Sequence, residues 1–212
     1  AKTGLPADGF GVEGRVDLTD GLPRATRGEL DALNLLPIGS QSPPMVVGDT
    51  VIVGSTINDR ALTKEAPPGW VRAYDARTGR HKWDFHTVPQ SADQFGADTW
   101  LNDSWRYSGN TNVWSLMSAD DELGLVYLPI GTATNDYFGG GRLGDNLFAE
   151  SLVAVDAEQL TAYPRRRIRE QPETGIRHVL WLSQPRNRNL GNHRIHEFLR
   201  RLDVQGFGIR RA

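Results

Sequence analysis

The chain has 212 residues, of which 38% are hydrophobic and 24% charged, with a formal net charge of −2. This is the composition of an ordinary globular protein, and the lack of Cys excludes a disulfide scaffold, a cysteine zinc site and a catalytic thiol. No run approaches the ~18 consecutive apolar residues of a transmembrane helix, and the N-terminal residues lack the pattern of a signal peptide. Because the chain begins on Ala1 in the middle of a pattern, we expect a piece of a longer protein.

The near-neutral charge hides a contrast between two parts of the chain. Residues 159–212 hold 12 Arg, no Lys and 4 acidic residues, a net charge of +8, which leaves −10 for residues 1–158. An acidic body disfavours nucleic acid as a partner, and none is expected. The Arg-rich tail leaves open a module that binds nucleic acid or anionic lipid.

Short β-type segments separated by turn residues follow one another along the body. Met45–Val47 and residues 50–54 flank Gly48-Asp49 and predict a hairpin. Further strands are predicted at residues 70–74, 81–86, 112–116, 125–129 and 152–156, and one helix at residues 27–36. Short strands separated by long polar loops predict an all-β sandwich, barrel or propeller.

A partial internal repeat favours the propeller among these folds. Residues 75–83 read DARTGRHKW, and parts of this pattern return at residues 1–4 and 155–158. The pattern predicts a strand ending in Asp, a tight Thr-Gly turn, and a return strand whose Trp covers the neighbouring unit. Such units cannot bury their faces alone, so we expect them to stack around an axis, with long loops inserted between strands.

Five separated segments of the body carry a resemblance to a known family. They are residues 42–49 (SPPMVVGD), 75–83, 109–114 (GNTNVW), 126–129 (VYLP) and 144–147 (GDNL). Together they resemble the quinoprotein dehydrogenases that use pyrroloquinoline quinone (PQQ), in the membrane-type glucose dehydrogenase branch, whose tryptophan docking motif matches the second segment. The resemblance covers most of the body.

The resemblance implies an eight-bladed β-propeller of which residues 1–158 form a part, so that missing blades or a partner chain would close the fold. It also implies PQQ with a divalent cation, usually calcium, as cofactors. The implied reaction oxidises a hydroxyl of a sugar or alcohol, with sugar or polyol favoured, and passes electrons to a quinone. The implied location is the periplasmic side of a bacterial membrane.

Two residues are candidates for holding the cofactor. Trp114 follows a Gly/Asn-rich stretch and would stack on a flat ring, as the matching Trp does in similar enzymes; packing within the propeller is the alternative. Thr134 lies in a loop rich in hydroxyl and amide groups, after the strand that ends at Pro129. The corresponding Thr contacts PQQ in similar enzymes, and an ordinary polar turn is the alternative.

Asn58 and Asp59 are the candidate ligands of the cation. Calcium takes several oxygen ligands, and related enzymes place an adjacent Asp and Asn at the metal. The order of the pair is reversed relative to one version of the family pattern, so either residue could be the ligand. An Asn-Asp pair is also typical of turns, which is the alternative interpretation.

The resemblance ends near residue 158. In the family, a docking Trp and a His-His-x-x-Trp-Asp segment follow, and the Asp of that segment removes the substrate's hydroxyl proton. Here residues 159–167 read QLTAYPRRR instead, so the family base is absent and no catalytic residue is assigned. Charge reversal in mid-motif, with Arg and no Lys, is typical of an out-of-frame reading. We therefore expect residues 159–212 to be a frameshifted or disordered tail, and this chain alone to lack activity.

Other signals carry less weight. Residues 139–144 (GGGRLG) satisfy the spacing of a dinucleotide-binding loop but lack the strand and helix around it, which predicts an ordinary loop. His193 and His196, with Glu197 adjacent, form a weak metal-binding pattern, because no third ligand can be assigned. A cofactor-free propeller that binds other proteins is the alternative function of the body.

Overall fold

The structure is a computed structural model that describes residues 5–25, 38–58 and 64–160, together with two backbone strands at residues 164–169 and 178–182. The predicted helix at residues 27–36, the residues 1–4 of the repeat, Asp59 and the His193 group lie outside the described residues. The described part of the chain contains no helix with the length and hydrophobicity that a membrane span requires.

The described strands form three sheets. They are β1 (Ile38–Gly39), β2 (Met45–Val47), β3 (Thr50–Val53), β4 (Thr56–Ile57), β5 (Val71–Asp75), β6 (His81–Phe85), β7 (Ser118–Asp120), β8 (Leu125–Ile130), β9 (Ser151–Asp156), β10 (Pro164–Arg169) and β11 (His178–Leu182). Short 3-10 helices occupy Ala97–Thr99, Leu101–Arg106 and Gly139–Gly141. The all-β prediction is confirmed.

The first sheet has the order β2-β3-β5-β6, and every neighbouring pair in it is antiparallel. The predicted hairpin is its start: Met45 pairs with Ile52 and Val47 with Thr50, across a turn in which Gly48 has a φ of 55°. Glycine suits this position because a side chain disfavours positive φ. Sequential antiparallel strands in one sheet are the arrangement of a propeller blade.

The second sheet contains β7, β8 and β9 in antiparallel order, followed by β11 and β10. The strand β11 runs parallel to β9, unlike any other neighbour in the two large sheets. The tail therefore contributes backbone to this sheet, and its frameshifted origin stays a prediction. The strand predicted at residues 112–116 is wrong, because these residues pair only through isolated backbone bonds and β7 begins at Ser118.

The core lies between the two large sheets. Inward residues of alternating strand positions, such as Ile52 and Val71 in the first sheet and Val126 and Val153 in the second, are completely buried. Trp83 of β6 is buried against the second sheet, and its indole Nε1 donates to the Ala157 carbonyl at 3.1 Å. Trp83 thus covers the neighbouring unit, as the docking motif predicts.

Candidate functional site

A cleft of about 730 Å³ opens beside the second sheet. Its wall is formed by β4, by the segment 110–114, by the end of β8 with the following loop, and by the start of β9. The lining residues are Gln41, Thr56, Ile57, Asn110, Asn112, Trp114, Pro129, Ile130, Gly131, Thr132, Asp136, Glu150, Ser151 and Leu152. Elements from distant parts of the chain therefore meet at one polar and aromatic surface.

The segment 109–112 is held between two neighbours by backbone hydrogen bonds. On one side, Asn110 donates to the Pro67 carbonyl at 2.9 Å and accepts from Gly69 at 2.6 Å. On the other, Thr111 donates to the Thr132 carbonyl at 2.8 Å. Asn110 and Thr111 have positive φ, of 55° and 56°, so the segment is not a regular strand. Because both sides of its backbone are engaged, it has a fixed place from which Trp114 projects.

Trp114 lines the cleft and leaves 56% of its surface exposed. The four other tryptophans whose side chains are described, at positions 70, 83, 100 and 105, are buried. A side-chain atom at Gly131 would lie 3.4 Å from the Trp114 Nε1, which places the loop after β8 directly beside the indole. The described residues leave much of this indole uncovered, so a flat ring could stack on it.

Thr134 lies behind the wall of the cleft. It is buried, with 4% of its surface exposed, and its amide donates to the Gly109 carbonyl at 3.1 Å. Its hydroxyl Oγ1 has no hydrogen-bond partner among the described residues. Thr132, two residues earlier, is the threonine that faces the cleft. The buried hydroxyl of Thr134 has unused capacity for a ligand.

The predicted cation ligands are placed only in part. Asn58 is half-buried and directly follows β4, whose two residues line the cleft. Asp59 lies outside the described residues. Within the described ranges, no three His, Asp or Glu side chains come together in a group that could hold a metal ion. Metal binding at Asn58 and Asp59 stays a prediction.

Sequence reasoning did not find Arg142, which fixes the loop at the rim of the cleft. Its guanidinium donates to the side chains of Asn146, at 2.9 Å, and Thr132, at 3.2 Å. Removal from water lowers the pKa of Arg142, while the nearby carboxylates of Asp136 and Glu150 act in the opposite direction. The glycines that precede Arg142, Gly139–Gly141, form a short 3-10 helix. No helix of the kind that binds a dinucleotide lies between this turn and β9.

The cleft offers an exposed aromatic face, amide and hydroxyl groups, and two carboxylates, of Asp136 and Glu150. No Lys or Arg is among the described residues that line it. Such a surface can stack a planar ring and hydrogen-bond its polar edge. An anionic ligand would need a cation beside these two carboxylates, and oxygen ligands suit calcium.

Comparisons with known proteins identify the family of this chain. Residues 1–159 match the family described as the β-propeller domain of PQQ-dependent glucose, ethanol and alcohol dehydrogenases. The quinate/shikimate dehydrogenase (quinone) of Acinetobacter baylyi is 34% identical over 159 residues, which are 74% of this chain and 18% of that protein. The quinoprotein glucose dehydrogenase of Gluconobacter oxydans is 32% identical over 160 residues, with the same coverage.

Among solved structures, the quinohemoprotein alcohol dehydrogenase ADHIIG of Pseudomonas putida superposes with a TM-score of 0.49 and 26% identity, over 71% of this chain and 21% of that one. The chain thus spans about a fifth of the length of such relatives. The predicted family and the propeller fold are confirmed by the family match over residues 1–159. The chain belongs to the β-propeller family of PQQ-dependent quinoprotein dehydrogenases.

Proposed function

We propose that this chain forms one wall of the cofactor cleft of a dehydrogenase that oxidises a hydroxyl of a sugar or other polyol and passes the electrons to a quinone. The exposed indole of Trp114 carries the proposal, because the other tryptophans with described side chains are buried and this one lines the cleft. PQQ, when bound, supplies the quinone that accepts the substrate's electrons.

The residues of the cleft fit such a group. Trp114 would stack on its ring, and Thr132 and Asn112 would hydrogen-bond its polar edge. Thr134 remains a proposed contact of the cofactor because its buried hydroxyl has no partner among the described residues, but it does not line the cleft in this structure. The carboxylates of Asp136 and Glu150 would repel the carboxylates of PQQ, so a calcium ion, held with the help of Asn58 or Asp59, would balance the charge.

The names of relatives support the substrate class and the acceptor. Relatives of this chain are named for quinate or shikimate, glucose and glycerol, all of which carry several hydroxyl groups, and one name includes a quinone. We assign proton removal to no residue of this chain, because its sequence lacks the expected His-His-x-x-Trp-Asp segment. We place the full-length protein on the periplasmic side of a bacterial membrane, in keeping with a quinone acceptor.

Titration of the chain with PQQ, with and without calcium, tests this function. We expect saturable binding that requires calcium, and an affinity at least about tenfold lower in Trp114→Ala, because the stacking surface is lost. Leu116→Ala is the matched control, since Leu116 is 72% exposed two residues away and does not line the cleft. No calcium-dependent binding by the wild-type chain would leave a cofactor-free scaffold as the better proposal.

A further inference from the structure

An arginine far from the cleft in sequence bridges the segments behind it. Arg24 belongs to the N-terminal arm, residues 5–25, and its guanidinium donates to three backbone carbonyls. The acceptors are those of Ala66 at 2.7 Å from Nε, Arg106 at 3.0 Å from Nη1, and Ser108 at 2.8 Å from Nη2. One planar group thus joins the chain before β5 to the end of the 3-10 helix Leu101–Arg106.

The two bridged segments pack backbone against backbone. A side-chain atom at Gly109 would lie only 2.3 Å from the carbonyl oxygens of Ala66 and Pro67, so nothing larger than glycine fits between them. The Ala66 amide also donates to the Tyr107 carbonyl at 3.1 Å. Arg24 therefore closes the side of this contact that faces the arm, where the carbonyls of Ala66 and Ser108 point the same way.

The contact continues directly into the wall of the cleft. The Gly109 carbonyl accepts from the Thr134 amide at 3.1 Å, and the Asn112 carbonyl accepts from Gly131 at 2.9 Å. Trp114 is two residues beyond Asn112. The place of the indole therefore depends on a segment whose N-terminal end is fixed by Arg24.

We propose that Arg24 is a positioning residue for the cofactor cleft, which rests on the function proposed above. Arginine suits this role because its rigid fork presents several N–H donors in one plane, whereas the lysine ammonium is a point charge. Arg24 has a φ of 59°, a backbone conformation that is uncommon outside glycine and that persists where its surroundings fix it. Part of the guanidinium is withdrawn from water, which lowers the pKa of Arg24, while Glu65 acts in the opposite direction.

The test compares Arg24→Ala and Arg24→Lys with the wild-type chain in two measurements. Without cofactor, the rate of amide hydrogen exchange in both Arg24 variants should rise at least about tenfold at residues 108–112. The rate should stay unchanged in β8 and β9, because only the local contact opens. The dissociation constant for PQQ with calcium should rise about fivefold or more. Arg77→Ala is the control, because Arg77 makes an exposed ion pair with Asp49 at 2.9 Å and neither residue lines the cleft.

Each outcome decides the proposal. Equal increases in exchange along the whole chain would show general destabilisation and overturn it, as would unchanged PQQ affinity in both Arg24 variants. If Arg24→Ala does not fold, Arg24→Lys still answers, because it keeps the charge and loses the fork. Failure of the proposed function is seen separately, as a lack of PQQ binding by the wild-type chain.

Discussion

At the scale of single residues, Asp84 on β6 shows how a partly buried charge is kept. Its carboxylate accepts from Arg72 Nε at 2.8 Å and lies 2.7 Å from His81 Nε2, and Arg72 also donates to the Leu18 carbonyl at 3.0 Å. Burial by itself raises the pKa of Asp84, but the hydrogen bonds from Arg72 and His81 outweigh it, and the pKa lies below its ordinary value. The ionised carboxylate therefore holds Arg72, and Arg72 in turn ties the arm to the first sheet.

We expect Asp84→Asn to lower the free energy of unfolding at pH 7 by about 2–3 kcal/mol, because Arg72 loses its ionised acceptor. A carboxyl whose pKa is lower in the folded state stabilises the fold above its unfolded pKa and stops doing so as pH falls through the folded one. The difference between wild type and variant should therefore shrink below about pH 4. Urea unfolding at several pH values measures this.

Asp49→Asn is the control for that experiment, because its ion pair with Arg77 is exposed and worth little. A constant difference between Asp84→Asn and wild type from pH 7 to pH 3 would contradict the interpretation.

Part of the candidate site is readable from single residues and part is not. Trp114 is predictable because an aromatic side chain after a Gly/Asn-rich stretch is visible in the sequence, and the structure places it on the cleft. The roles of Arg24 and Arg142 cannot be predicted from the sequence. Most of their hydrogen-bond acceptors are backbone carbonyls or side chains in loops, and such acceptors leave no spacing pattern in the sequence. The sequence predicts that Thr134 contacts the cofactor; the structure buries its hydroxyl and does not include it in the lining of the cleft, and the contact stays a prediction.

At the scale of elements, one turn recurs. Asp75 Oδ1 accepts from the amides of Arg77 and Thr78, and Asp120 Oδ1 accepts from the corresponding residues two and three positions later. Each turn ends on a glycine with positive φ, Gly79 at 69° and Gly124 at 66°. The aspartate satisfies the turn amides, and the glycine allows the chain to reverse.

The same turn begins after β9 and does not end in the same way. Asp156 Oδ1 accepts from the amides of Glu158, at 2.8 Å, and Gln159, at 2.9 Å, but Leu160 occupies the glycine position. The strand that joins β9 next is β11, and it runs parallel, whereas β6 returns antiparallel after the Gly79 turn. The sequence predicts the first hairpins because their turn residues are complete, and the tail departs from the pattern where that glycine is missing.

The two complete turns allow a matched comparison of Gly79→Ala with Gly124→Ala. Both variants place a side chain at positive φ, which costs about 1–2 kcal/mol. At Gly124 the added atom meets open space, whereas at Gly79 it lies 2.9 Å from Val16 and 3.0 Å from the Gly11 amide nitrogen. We therefore expect Gly79→Ala to destabilise the chain by about 1 kcal/mol more in urea unfolding. Equal losses of unfolding free energy in the two variants would mean that the N-terminal arm shifts away from the new side chain at position 79 without an energetic penalty.

At the scale of the whole molecule, three polar contacts among the described residues join the large sheets besides the shared apolar core. Thr50 Oγ1 of β3 donates to the Glu158 carboxylate at 3.0 Å. Lys82 Nζ lies 3.0 Å from the Glu158 carboxylate, but Glu158 is 56% exposed, so this ion pair contributes little. Trp83 is 7% exposed and donates to the Ala157 carbonyl. Burial of a whole indole outweighs a surface pair, so Trp83 contributes more to the coupling of the two sheets than the ion pair does.

Trp83→Ala and Trp100→Ala separate this coupling from stability as such. Both residues are buried and each indole donates to a backbone carbonyl, but Trp100 packs in a separate cluster with Val88 and Trp105. We expect the free energy of unfolding of each variant to be about 3–5 kcal/mol lower than that of the wild type. In native-state hydrogen exchange, only Trp83→Ala should give different opening free energies for β3 and β8. The reason is that Trp83 contacts both sheets, whereas Trp100 packs in the other cluster. Equal opening free energies of β3 and β8 in Trp83→Ala would show that the remaining core couples the sheets without Trp83. The variant Trp83→Phe repeats the test with a smaller change in side-chain volume.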